Sequence, residues 1–598
     1  MRGLRALLVA LLLVGAGVTA SARSSKANAK KAAAAAKARA SRTAAVGGCS
    51  GPDGRAKHVL FVSLTMGSHV QPLNYMAGEL RERGCRVSFA IPEDGRKLVS
   101  AGIDVISSGP SAVPPRELRL RFRQLSHDPA PFGGLLASFS DVLLPSVAPM
   151  FKALRPFVQS DPPDLMIVDV CALAGLMLAQ HYNVPHAVNN PSLLITPGEA
   201  SAAVPAWGSG LGAAMTLAER CVNAVFPRLL ATAIIPPFMQ LNKVRWELHL
   251  ELYRSQHEIF RNVPIITNTA FGLEYPRSLS PLIKMVGPVL PTQLPAIPAS
   301  VTAWLAASEL PVVLVHFGTR VYLEPWQVKE VVDGLRSDAH RVVWVMSKSQ
   351  RQAVPYTPGS FLLHVTLPYL AIAGHPLVKA VVSHCEFDAA QEALYFGKPL
   401  LCMPFFLSQP DVTARIVSVG AGVLLDKESL TACGVKHKLH TLVSNASFTQ
   451  RAVVLSKVLV RAGGTKRVVG LLEEMLAIGS EHWRSPDIDM PWHRRKKLDI
   501  YAVFAAFALL SGLGLHAIAK QLERSGATKP GTEVDAGQAV ATATAVEAVA
   551  AVPAAPTADG AAVQAEETGH GASSPDKGRD NTAASPGQAE MSARPKTE

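Results

Sequence analysis

Paired cysteine motifs are missing from this sequence. Its seven cysteines, at 49, 85, 171, 221, 385, 402 and 433, stand singly, with no Cys-x-x-Cys. That excludes zinc ribbons and dense disulfide frameworks, and leaves room for one bridge in an oxidising compartment. A Gly-x-Gly-x-x-Gly turn after an early strand is also lacking, which speaks against a dinucleotide enzyme such as a sugar-nucleotide epimerase. The net charge of +13 is concentrated at the ends. Residues 1–47 carry nine Lys/Arg and no acid, Arg494–Lys497 add four, and from 520 onward seven basic residues face eleven acidic ones. Gly48 to His493 is left near +5, too slight for its length to make a nucleic-acid footprint, so no nucleic-acid partner is expected.

Long apolar runs are few. Arg2 and Arg5, an apolar Leu7–Val14 and the small residues Ala20-Ser21-Ala22 predict a signal peptide over 1–22. An Ala/Lys/Ser-rich basic linker, 23–47, reads as disordered. Ile500–Ala519 is twenty residues without a charge, a length that spans a bilayer as a helix. A basic juxtamembrane segment, 481–499, precedes it, and a disordered tail, 520–598, follows. Together these predict a single-pass type I membrane protein of the endoplasmic reticulum or another secretory membrane, with its body in the lumen. Asn445-Ala446-Ser447 is then a glycan acceptor.

The body reads as two βα units in tandem. Val59–Ser63 is an apolar run suited to a strand covered on both faces. Thr65–Gln71 reads as a turn and Pro72 as a first helical position. Val87, Phe89 and Ile91 alternate as a second strand, and Gly102–Gly109 offers a third. The pattern restarts at Val312–Phe317, with strand candidates in "RVVWVM", "SFLLHVTL", "KAVVSH" and "PLLCMP". The predicted class is α/β with parallel sheets, divided as 48–290 and 291–480 by a Pro-rich linker. The apolar stretch within Ala200–Phe260 reads as core helix, with a membrane-facing or acceptor-side element as the other reading. Ligands of such folds bind beyond the carboxyl ends of the strands.

Several segments carry a resemblance. "HFGT", His375-Pro376, "SHC" ending on Cys385, Glu392, "FGKPLLCMPFF" and Gln409, in that order, resemble the signature of the UDP-glycosyltransferases, the UDP-glucuronosyl and plant UDP-glucosyl enzymes of glycosyltransferase family 1. "GSHVQPL" is similar to that family's Gly-His-x-x-Pro turn. The resemblance covers about Lys57 to Asp426 and implies a GT-B fold, two Rossmann-like domains facing a cleft, plus the C-terminal transmembrane helix. It implies inverting transfer of a hexosyl group from a UDP-sugar to a hydroxyl of a small apolar or lipid-like acceptor. UDP-sugar is then a co-substrate; no cofactor or metal is expected. His69 matches the catalytic base, whose imidazole suits proton transfer near neutral pH. Asp169 matches its orienting carboxylate, with Asp164 as competitor. On the donor side, His384 matches the diphosphate ligand, Glu392 the ribose reader, Thr319 a phosphate-side hydroxyl and Gln409 half of a sugar-holding pair.

The donor side also departs from the pattern. Ser408 stands where an aspartate pairs with Gln409. Thr366 replaces the uracil-stacking tryptophan, and Tyr369 offers a substitute ring. Where small or neutral residues follow the histidine, this chain has Glu386, Phe387, Asp388 and Ala389. Each unit-charge pair there opposes a diphosphate by about 4 kcal/mol at ~4 Å and an effective dielectric of ~20. That predicts either a transferase in which backbone N–H groups and a cation offset the acids, or a weakened or inactive transferase-like protein that binds a glycolipid or partner subunit.

Overall fold

The computed structural model describes residues 48–51, 53–128, 139–194, 203–488 and 490–526. The expected signal peptide, the basic linker and all of the expected tail beyond Gly526 lie outside them. Two compact units result, divided after Arg495.

The first unit holds two all-parallel sheets. One has the order β3-β2-β1-β4-β5-β6-β7, built from β1 (His58–Val62), β2 (Arg86–Ile91), β3 (Asp104–Ser107), β4 (Leu165–Asp169), β5 (His186–Asn190), β6 (Ile265–Thr267) and β7 (Ile283–Met285). The other runs β10-β9-β8-β11-β12-β13, from β8 (Val312–His316), β9 (Arg341–Val345), β10 (Phe361–His364), β11 (Val378–Ser383), β12 (Leu400–Cys402) and β13 (Gly422–Leu424). Successive residues of the central strands feed opposite cores. Leu60 and Val62 enter one cluster, Val59 and Phe61 another. Likewise Val312 and Leu314 face away from Val313 and Val315. A strand covered on both faces needs apolar side chains at every position, which is why these read as unbroken apolar runs.

The principal helices are α1 (Gly67–Glu82), α2 (Leu144–Ser160), α3 (Leu173–His181), α4 (Leu217–Ala233), α5 (Ile235–Glu247), α6 (Pro325–Leu335), α7 (Phe387–Tyr395), α8 (Gln409–Ser418), α9 (Ala432–Ser444), α10 (Ala446–Arg461), α11 (Gly464–Ile478) and α12 (Leu498–Gly526). Helix α1 begins five residues before Pro72, which lies inside it; His69 therefore sits in a first helical turn rather than in a loop. Helix α11 falls within the range 291–480, yet its Val468, Val469 and Leu472 join Leu73, Met76 and Leu80 of α1 in a core of the first sheet. Arg83 and Glu473 pair across that contact at 2.7 Å. Asn445 is exposed and caps α10, accepting the Ser447 amide at 3.0 Å.

Three expectations need correction. Two disulfides form, Cys49–Cys85 and Cys385–Cys402, where the sequence left room for one. The second links the loop after β11 to the end of β12, adjacent strands in register at Ser383 and Cys402. Helices α4 and α5 lie mostly outside the core: Leu217, Val225, Leu229, Ile235, Met239 and Trp246 are all exposed, and α5 joins the core through Leu241. Residues 520–526, expected in the disordered tail, continue α12.

The second unit contains α12. Its apolar run is long enough to cross a bilayer.

Candidate functional site

Both sheets reverse their strand order once, the first between β1 and β4, the second between β8 and β11. A crevice opens at the carboxyl ends of strands where the order reverses. Most candidate residues stem from these four strand ends; Tyr369 follows β10, and Ser408 and Gln409 follow β12.

In the first half, β1 leads into α1, and β4 ends on Asp169. His69 Nδ1 and Asp169 Oδ2 lie 2.8 Å apart. The Asp169 side chain is fully buried while His69 keeps 16% exposure. The Cys171 amide donates to Asp169 Oδ1 at 2.9 Å, so both carboxylate oxygens are committed. Desolvation alone would lower the His69 pKa, but the Asp169 carboxylate, helped by Cys171, holds it well above the ordinary 6.5. Asp164, the competitor, instead accepts from Lys57 Nζ at 3.1 Å and from the His58 amide at 2.8 Å.

The second half is organised around β8 and β11. The turn Gly318-Thr319-Arg320 follows β8 and needs glycine first: φ at Gly318 is +65°, and a Cβ there would lie 2.9 Å from His384 Nε2. The His316 ring lies 4.8 Å from that of Tyr369 and 6.4 Å, edge on, from that of His384. Tyr369 donates its hydroxyl to the Ala389 carbonyl at 3.0 Å. Desolvation, above all, depresses both His316 and His384 to about 4. Thr319 is exposed in the turn.

Those two histidines make the fold acid-sensitive. Below about pH 6.5 the unfolded chain binds protons that the native imidazoles refuse, so stability falls as pH drops toward about 4. His69 has the opposite sign: its contribution is present at low pH and fades as pH rises through its elevated pKa. The urea midpoint, followed by tryptophan fluorescence, is expected to fall between pH 6.5 and 4, and to fall less in His316→Gln. An equal slope in that variant overturns the assignment.

The acids part company in space. Glu386 precedes α7 but forms no side-chain capping bond to it; Gln409 Nε2 donates to its Oε2 at 2.9 Å and Ser408 Oγ to its Oε1 at 3.4 Å. Asp388 accepts the Ala389 amide at 2.7 Å. Desolvation and then the Glu386 charge raise the Asp388 pKa. Desolvation and Asp388 raise Glu392 well above the carboxylate range. Tyr75, desolvated and facing Glu392, is pushed up to about 12. Burial thus works against ionisation at both α7 acids. Arg320 supplies the local cation: desolvation lowers its pKa, and the neighbouring Glu386 and Asp388 carboxylates oppose that, with Cys171 beside them. Among the described residues no ion pair closes on its guanidinium, which leaves its donors available.

Helices α1 and α7 face each other across a cavity of ≈ 110 Å³. Ser68, Gln71 and Tyr75 line one side; Asp388, Gln391 and Glu392 line the other at helical spacing. Gln391 Oε1 and both amide atoms of the lining Asn268 are buried without hydrogen-bond partners among the described residues. Buried polar groups of this kind call for a polar ligand. His69, Asp169 and Cys171 have their ligating atoms within 4.8 Å of one another. However, Asp169 is already doubly committed and Arg320 faces the thiol, which disfavours a metal there.

The structure therefore gathers His69 with Asp169, and Glu386 with Ser408 and Gln409, while Thr319, Tyr369, His384, Asp388, Ala389 and Glu392 cluster about the β8 and β11 ends. Sequence reasoning asked for a cation near the acids but did not name Arg320. It lies next to the "HFGT" segment, a usable signal. His316 opens that same segment; Cys171, Tyr75 and Gln391 carried no signal.

The profile of the UDP-glucoronosyl and UDP-glucosyl transferase family matches residues 153–519. The chain is 25% identical over 399 residues to a UDP-glycosyltransferase, stmC, of Aspergillus ustus, covering 58% of this chain and 74% of that one. It is 24% identical over 490 residues to the human 2-hydroxyacylsphingosine 1-beta-galactosyltransferase, covering 77% and 86%. In structure it resembles the glycotransferase of kitacinnamycin, with TM-score 0.53 and 19% identity, covering 70% of this chain and 99% of that one. The calicheamicin glycosyltransferase CalG4 follows at 0.52 and 18%, covering 71% and 98%.

Proposed function

The chain belongs to the UDP-glucoronosyl and UDP-glucosyl transferase family and has the GT-B fold, and from that premise we propose inverting transfer of a hexosyl group from a UDP-sugar to a hydroxyl of a small apolar or lipid-like acceptor. The observation that carries the reading is the His69–Asp169 pair at 2.8 Å, set at one switch point beside a cavity that α7 closes from the other half.

In this reading Asp169 accepts Nδ1–H of His69, leaving Nε2 to take the acceptor's proton. The acceptor oxygen forms its bond to the anomeric carbon from the face opposite the phosphate, and the bond from that carbon to the diphosphate oxygen breaks. UDP departs with the electron pair and the configuration inverts. His384, Thr319 and the α7 N-terminus surround the diphosphate, where backbone N–H groups favour an anion. Burial works against ionisation of Asp388 and Glu392, which eases their repulsion of the diphosphate, and Glu392 receives the ribose hydroxyls. Arg320 offsets what charge remains.

Membrane association belongs to the same proposal. Helix α12 is the anchor, and the exposed apolar side chains of α4 and α5 suit a lipid-like acceptor's surroundings. We place the body in a secretory lumen, consistent with the two disulfides. One observation favours a second reading, a transferase-like binder without turnover: Glu386 already occupies the Gln409 amide.

UDP release by the full-length chain in nanodiscs, over a panel of UDP-sugars and hydroxylated lipids, decides between them. Release is expected with at least one donor; none with any overturns the catalytic reading. In calorimetry, Arg320→Ala is expected to weaken UDP by ~10–100-fold, the worth of one charge-assisted hydrogen bond. Unchanged affinity removes Arg320 from the site.

A further inference from the structure

Glu386, just before α7, is held by the side chains of Gln409, which opens α8, and of Ser408 just before it. Gln409, which holds it, is wholly buried, and its Oε1 accepts the Phe405 amide at 2.8 Å and the Phe406 amide at 3.3 Å. With its oxygen fixed, Gln409 must present Nε2 to whatever acceptor stands there, and here that is the Glu386 carboxylate at 2.9 Å. A carboxylate has about four acceptor directions. Gln409 and Ser408 use two, so others remain for hydroxyl donors from outside. The location is also defined. Arg320 feels both Glu386 and Cys171, and Cys171 belongs to the tight cluster with His69 and Asp169. Arg320 thus links Glu386, like Asp388, to the His69 cluster, while Asp388 and Glu392 also line the cavity beside α1.

We propose that Glu386 reads the donor sugar: it accepts ring hydroxyls of a UDP-bound neutral hexose and turns away UDP-hexuronates. The inference rests on the transferase reading and extends it to the class of donor. A carboxylate in this place does the work of the acid missing at Ser408, delivered from a neighbouring loop. A neutral hexose offers vicinal hydroxyl donors to it. An ionised hexuronate carboxylate donates nothing and meets like charge. Arg320 is a cation that feels Glu386, and Asp388 shares it. Allowing for that partial offset, discrimination against the uronate is expected at ~100-fold or more.

The test is calorimetry on the full-length chain in nanodiscs with UDP, UDP-glucose, UDP-galactose and UDP-glucuronic acid. At least one neutral donor is expected to bind ~100-fold tighter than UDP-glucuronic acid. Glu386→Gln, close in shape and still able to accept from Gln409, is expected to narrow that ratio to within ~5-fold by removing the charge. Glu386→Gln combined with Ser408→Asp returns a carboxylate beside Gln409 and should restore the preference, a rescue that a purely structural role would not give. If UDP binds but wild type takes UDP-glucuronic acid as tightly as UDP-glucose, or if Glu386→Gln leaves the ratio unchanged, the inference is overturned and the transferase reading stands. If the chain binds UDP in no form, the transferase reading itself fails, and this inference with it.

Discussion

His69→Ala is expected to reduce turnover by ~10²–10⁴-fold, the usual worth of a positioned general base, with UDP affinity unchanged. The separation follows from placement. His69 sits on α1 with its Nδ1 tied to Asp169 at 2.8 Å, while the groups proposed to hold UDP stem from β8, β11 and α7 in the other half. Loss of UDP binding in the variant, or retention of turnover, overturns the assignment. The same pair fixes the pH profile. Asp169 holds the His69 pKa well above 6.5 against desolvation, so the free base is scarce at low pH, and kcat/KM should rise with pH through that elevated value. Asp169→Asn removes the charge and leaves desolvation, which acts downward. The acidic limb is then expected to move toward lower pH even as the rate falls, a displacement that a mere loss of folded protein would not produce.

What was legible in the sequence depends on how far each contact reaches along the chain. Central strands were plain because burial on both faces demands unbroken apolar runs, as in Val59–Val62 and Val312–Val315. His69 and Asp169 were legible as separate positions after strands; that they meet across 100 residues depends on β1 and β4 being neighbours. Local rules misplaced the start of α1, because Pro72 also fits a first helical position. Inside the helix it merely removes the donor that the Ser68 carbonyl would take. The second disulfide required knowing that β11 and β12 are adjacent. The acids after His384 were visible, but not their destinations. Glu386 reaches Gln409, 23 residues on, and meets Arg320 because β8 and β11 pair in register. Apolarity alone likewise could not separate core helix from the mostly exposed α4 and α5, since composition says nothing of which face is covered.

Glu274→Ala is expected to cost ~3–5 kcal/mol, the loss typical of removing one partner from a buried ion pair. The Glu274 side chain is fully buried, 3.6 Å from Arg415 Nε, which is itself 2% exposed, and 3.8 Å from Arg277. Its other oxygen accepts the Leu194 amide at 2.7 Å. Arg415 belongs to α8 and lies over the Tyr275 ring at 4.7 Å. Asp411, one turn earlier, accepts the Gly208 and Gly210 amides. This network fastens segments that follow β5 and β6 of the first sheet to the helix that carries Gln409. Removing the carboxylate takes the shared counter-charge from two guanidinium groups in low dielectric, leaving each a backbone carbonyl, and leaves the Leu194 amide without an acceptor, so the penalty exceeds that of an exposed pair. In urea titrations of the full-length chain the midpoint should fall with the slope unchanged. A matched apolar exchange, Glu274→Leu with Arg415→Met, removes one buried charge of each sign together and is expected to recover part of the loss. Because α8 also positions Gln409 against Glu386, Glu274→Ala should weaken donor binding at urea concentrations well below the midpoint. A variant as stable as the parent, with donor affinity intact, shows that α8 is held by its apolar contacts alone.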